Sequence, residues 1–108
     1  MTLLGRDDPP SAIFAANDEM AAATAWTAHR LGIPLPDRLS VVGFDDTPLA
    51  ERVFPPLTAV HQPIGDMARQ ATVLLVGAMR RPDERQSPPD ITVDHTIVER
   101  SSTGFKMK

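Results

Sequence analysis

The chain has 108 residues, 42% of them hydrophobic, enough for one domain, or part of one, with a core. Its net charge of −3 is small, and Lys and Arg are spread along it apart from Arg80-Arg81, which argues against a nucleic-acid surface in these residues. With no cysteine there are no disulfide or thiolate sites; Met1–Gly5 is too short for a signal core, and no apolar run nears the ~18 residues of a membrane span, so a cytoplasmic chain without membrane contact is expected.

Ala12-Ile13-Phe14-Ala15-Ala16 is a short apolar run between turn formers, the pattern of a strand buried on both faces. Asn17-Asp18 ends it and supplies an N-cap for a helix from Glu19 to Leu31, with Met20, Thr24, Thr27 and Leu31 at helical spacing and Gly32 at C′. Pro34 and Pro36 impose an extended connection, and Leu39–Phe44 reads as a second buried strand. Strand, helix and strand make a parallel crossover unit.

Thr47 to Arg52 fits a turn of helix before Pro55-Pro56, and Leu57–Val60 a brief third strand. Pro63 stands at the first position of the most regular helix, in which Ile64, Met67, Ala68, Ala71, Leu74, Leu75 and Ala78 form an apolar stripe. Met20, Met67 and Met79 read as core filler. Arg80 to Asp90, charged and rich in proline, reads as a solvated loop, and Ile91 to Glu99 alternates as a strand does.

In parallel α/β sheets ligands sit beyond the carboxyl ends of the strands. Asn17-Asp18, Asp45-Asp46 and His61-Gln62 follow the three strands, and carboxylates and amides there suit a hydroxyl-rich small molecule. Each pair also has a plainer reading: Asn17-Asp18 as a helix cap, Asp45-Asp46 as an Asx-turn before Pro48, Gln62 as a cap for the next helix. His29, His61 and His95 share no metal-ligand spacing and read as structural or exposed. A receiver domain would need a lysine at a later strand end, whereas the lysines here are Lys106 and Lys108 in the tail. There is no phosphate loop, no Gly-x-Ser-x-Gly elbow and no cysteine nucleophile, so neither catalytic residues nor a metal nor a cofactor is expected.

Three blocks resemble the lac repressor (LacI/GalR) family of transcriptional regulators: Pro10–Ala21 around Ala16-Asn17-Asp18, Leu31–Asp46 ending in Gly43-Phe44-Asp45-Asp46, and Pro55–Pro63. The resemblance runs from about Pro10 to Thr103 and closes on Arg100-Ser101-Ser102. It implies an α/β, parallel-sheet, periplasmic-binding-protein-like (type I) sensor fold, here a partial copy made mainly of the C-terminal lobe. On that reading residues 1–61 are a C-terminal-lobe segment, 62–90 a helix and loop of the N-terminal lobe, and 91–108 a returning strand and tail.

The resemblance also implies Asn17, Asp45 and Gln62 as contacts of a sugar-like effector, with Asp46 turned from it. It further implies a homodimer, contacting through helix residues such as Ala22, Trp26 and His29, and DNA binding only through an N-terminal headpiece not present here. A periplasmic sugar-binding protein of an ABC-type transporter would share the fold, but Ser40–Asp46 and Pro55–Pro63 favour the regulator.

Overall fold

A computed structural model of the chain describes residues 3–81 and 91–105. The order is β1 (Ala12–Phe14), α1 (Asp18–Arg30), β2 (Ser40–Asp45), α2 (Pro48–Arg52), β3 (Thr58–His61), α3 (Ile64–Arg80) and β4 (Thr96–Val98). Two compact units divide it, Met1–Gln62 with Thr96–Lys108 and Pro63–His95. Part of the expected 80–90 loop, residues 82–90, lies outside the described residues, as do Lys106 and Lys108.

The first unit holds a four-stranded sheet in the order β1-β2-β3-β4, parallel except for the antiparallel β4. Pairing of Ile13 with Val41 and of Gly43 with Ala59 puts these four residues on one face. That face packs on Ala21, Ala25 and Ala28 of α1 and Ala50 of α2, with Leu39 and Leu57 closing the core. Ser102, wholly buried, ties β2 to β3 by donating to the Val41 carbonyl at 2.5 Å and accepting from the Thr58 amide at 2.8 Å.

α1 begins as expected, one residue early. The Asn17 side chain accepts from the Met20 amide at 2.8 Å, satisfying one of the orphan donors of the first turn. It ends in a full Schellman motif: Gly32, at φ 72°, donates to the His29 carbonyl, and Ile33 to the Ala28 carbonyl. The buried face corrects the expected stripe. Thr24 of that stripe is buried, but it is Ala21, Ala25 and Ala28 that face the sheet beside it while Met20 and Leu31 stand about half exposed, because small residues let the helix sit closer than Met and Leu would. The methionines are not core filler: Met20, Met67 and Met79 are all exposed.

β1 and β2 are not buried on both faces as expected. The face away from α1 carries Phe14, Phe44 and Ile97, with Phe14 65% and Ile97 62% exposed and the two phenylalanine rings 6.4 Å apart. β4 is also shorter than the alternation at 91–99 suggests. Its register runs only against Ala59–His61, and β3 ends at His61, so residues 91–95 have no ladder to join.

In the second unit α3 starts at Ile64 with Pro63 as N-cap, one residue later than expected. No residue of α3 is buried, and Ile64, Met67, Leu74 and Leu75 of the stripe are exposed. Among the described residues no helix is long and apolar enough to cross a membrane.

Candidate functional site

Because β1, β2 and β3 are parallel neighbours, their carboxyl ends line up along one edge of the sheet, and one polar pair lies at each: Asp45 and His61 end β2 and β3, and Asn17 comes shortly after β1. Strands spaced by about 4.8 Å place the ends of β1 and β3 about 10 Å apart, the span of a small molecule. Asn17, Asp45 and Gln62 are all half-buried at this edge.

The structure joins two of the three directly. Gln62 Nε2 donates to Asp45 Oδ1 at 2.5 Å, a charge-assisted bond that orients both side chains. It uses one amide hydrogen and one carboxylate oxygen. The Gln62 carbonyl oxygen and the other Asp45 oxygen keep their hydrogen-bonding capacity. Asn17 enters differently: its Oδ1 is committed to the helix cap, which leaves its NH2 group as the hydrogen-bonding part that can face a ligand. The capping reading of Asn17 therefore holds, and the NH2 group is the part of the side chain that no bond in the fold uses.

The second members of the pairs are tied into the fold. Asp46 Oδ2 lies 3.1 Å from His61 Nδ1, and Arg100 Nη2 stands 2.7 Å from Asp46 Oδ1, an ion pair without the alignment of a hydrogen bond. The same guanidinium donates through Nη1 to the Leu57 carbonyl at 2.8 Å and lies 3.8 Å from Glu51. Asp18, only 1% exposed, accepts through Oδ2 from the Thr47 amide at 2.5 Å and from the Thr47 hydroxyl at 2.9 Å. Its position at the first turn of α1 also sets its charge against the positive end of the helix dipole.

Asp45, the last residue of β2, and Asp46 just beyond it take left-handed backbone conformations, φ 104° and 60°. Sequence reading located a turn here but not what holds it. The anchoring roles of Asp18, Thr47 and Arg100 were missed because their links span 29 and 54 positions and follow no periodicity. The signals available were Gly43 beneath a helix start and an arginine just beyond the last strand. Among the described residues no group of three His, Asp or Glu side chains is placed to hold a metal ion.

An edge of parallel strands bearing half-buried amide and carboxylate groups, backed on one face by helices, is the layout of a small-molecule sensor lobe. The chain belongs to the periplasmic binding protein-like domain family, which matches residues 2–103. Relatives that match most of its length are LacI/GalR-type regulators. It is 43% identical to the HTH-type transcriptional regulator DegA of Bacillus subtilis over 81% of this chain and 27% of DegA. It is 42% identical to the HTH-type transcriptional regulator GalS of Salmonella typhimurium over 96% of this chain and 30% of GalS. Among solved structures it resembles a LacI family transcriptional regulator from Lactobacillus casei with bound sucrose, with a TM-score of 0.73 and 32% identity over 87% of this chain and 34% of that one. The chain thus spans about a third or less of the length of these relatives.

Proposed function

We propose that this chain is the effector-sensing and dimerising portion of a LacI-type transcriptional regulator, and that it binds a sugar or a related polyol at the carboxyl edge of its sheet. The observation that carries this reading is the Gln62–Asp45 bond, which joins two strand ends into one polar wall. Asp45 accepts from effector hydroxyls, Gln62 accepts through its carbonyl oxygen, and Asn17 donates through its amide. The bound sucrose of the Lactobacillus casei relative supports the ligand class. The protein acts by binding, without turnover.

Residues 1–61 belong to the C-terminal lobe, 62–90 to the N-terminal lobe and 91–108 to the returning strand and tail, and the regulator works in the cytoplasm. Effector binding shifts the equilibrium between lobe orientations and so changes the affinity of a separate headpiece for DNA. The dimer contact runs along the outer face of α1, where Trp26 is 61% exposed with the Arg30 guanidinium 5.1 Å from its ring centroid.

The test is isothermal calorimetry of the full-length regulator against a panel of mono- and disaccharides that includes sucrose. Asp45→Asn keeps the shape of the side chain but replaces an acceptor oxygen, and weakens effector binding by about 1.5–3 kcal/mol. Equal affinities of the folded variant and the parent would remove Asp45 from the site, and binding of no sugar by the parent would remove the ligand class.

A further inference from the structure

The two aspartates at the end of β2 hold backbone conformations that an L-residue with a side chain seldom adopts, and such conformations persist only where the surroundings impose them. On one side Asp46 is held by Arg100 and His61. On the other, the next residue is Thr47, the N-cap of α2, and both its amide and its hydroxyl are taken by Asp18 Oδ2. Asp46 and the residue that follows it are therefore both held by groups outside the turn.

Asp18 reaches Thr47 because of what lies beneath it. Gly43 faces the first turn of α1, and a Cβ there would collide with Asp18 Oδ1. The φ of Gly43 is not left-handed, so glycine is needed at this position for space. Oδ1 is buried without a hydrogen-bond partner, a cost retained while Oδ2 makes both bonds to Thr47. A carboxylate used only as a helix cap would sit at the surface. This one is inside, between the site-bearing turn and the sheet.

We infer that Asp18 is a positioning residue of the effector site: by holding Thr47 it keeps Asp45 and Asp46 in their left-handed conformations, with Asp45 against Gln62. The inference rests on the reading of Asp45 and Gln62 as effector contacts. It requires an acceptor at this place and not a charge, so Asp18→Asn, which keeps an oxygen for the Thr47 amide, should preserve what Asp18→Ala destroys.

The test takes the full-length regulator and its Asp18→Ala and Asp18→Asn variants, and reads two quantities: the backbone φ of residues 45 and 46 in crystal structures, and sucrose affinity by calorimetry. The expected result is loss of positive φ at residues 45 and 46 and an affinity at least about tenfold lower in Asp18→Ala, with both restored in Asp18→Asn. An Asp18→Ala protein that is folded yet keeps both the turn and the affinity would overturn the inference, and so would Asp18→Asn failing as Asp18→Ala does. Should Asp18→Ala fail to fold, Thr47→Val, which removes the hydroxyl bond to Asp18 and leaves the backbone of residue 46 unrestricted, takes its place with the same two readouts. If the parent does not bind sucrose, affinity is read with the sugar of the panel that it does bind; if it binds none, the sugar reading fails while the φ measurement still decides the role of Asp18.

Discussion

Gly43→Ala tests the packing on which the site stands. The added methyl would fall on Asp18 Oδ1, with the Ala21 Cβ at 3.4 Å and the Asp18 Cα at 3.5 Å as its next neighbours. The last two are ordinary contacts, so the carboxylate decides the cost. It can rotate away, giving up two bonds of a charged acceptor at about 1.5–3 kcal/mol each, or α1 can lift from the sheet, at the about 1–3 kcal/mol typical of an overpacked core. The cheaper response governs, which sets the loss at about 2 kcal/mol. For a domain of this size that lowers the melting temperature by about 8–16 °C. The assay is urea unfolding of the 108-residue chain at fixed protein concentration, followed by circular dichroism. On an Asp18→Ala background the clash has no partner, and the same substitution should cost less than about 0.5 kcal/mol. Equal costs in the two backgrounds would refute the steric account.

Asn17→Asp separates the two roles of that residue: it retains an oxygen for the Met20 amide and so leaves stability within about 0.5 kcal/mol, while the lost amide donor weakens sugar binding in calorimetry; unchanged binding would confine Asn17 to capping. The exposed stripe of α3 should make the 108-residue chain self-associate, since apolar surface left in water forfeits about 25 cal/mol per Å². Leu75→Lys, on a residue 62% exposed, should raise the monomer fraction in sedimentation velocity, and a wild-type chain that is already monomeric at micromolar concentration would contradict this.

What could be read in advance followed local rules. Asn17 and Gly32 marked the ends of α1 because capping chemistry is local, and the strand ends could be placed because Pro-rich and acidic turns interrupt apolar runs. Burial was harder to read. α1 turns its alanines inward and leaves Met20 and Leu31 outside, since the space between helix and sheet is set by Gly43 and by Asp18, not by the size of the apolar residues available. The alternation at 91–99 gave too long a strand because alternation records a preference for β structure, whereas strand length depends on the partner, and β3 has four residues. At the site, Asn17, Asp45 and Gln62 were legible as polar residues at strand ends. Which oxygen was free and which was bound depended on Met20, Arg100 and Thr47, and on long-range pairings that no spacing rule records.

The polar pairs at the strand ends then make sense as pairs. After β2, Asp46 is fixed by Arg100 and His61 while Asp45 shares a bond with Gln62 and keeps an oxygen free. After β1, Asp18 is buried against Thr47 while Asn17 caps the helix and keeps its amide hydrogens. After β3, His61 serves Asp46 while Gln62 faces Asp45. One member of each pair is held by the fold and its neighbour is offered at the edge. Adjacent residues suit this arrangement because consecutive side chains leave a turn in different directions, so a single strand end can anchor itself and present a polar group. Each presented residue spends one polar atom within the fold, Asn17 on the Met20 amide and Asp45 and Gln62 on one another, and keeps a second for the edge. On the proposed reading of the site, substitution of Asn17, Asp45 or Gln62 should change which small molecule is recognised while Asp18, Asp46 and His61 keep the edge in place, and binding profiles of such variants across a sugar panel check it.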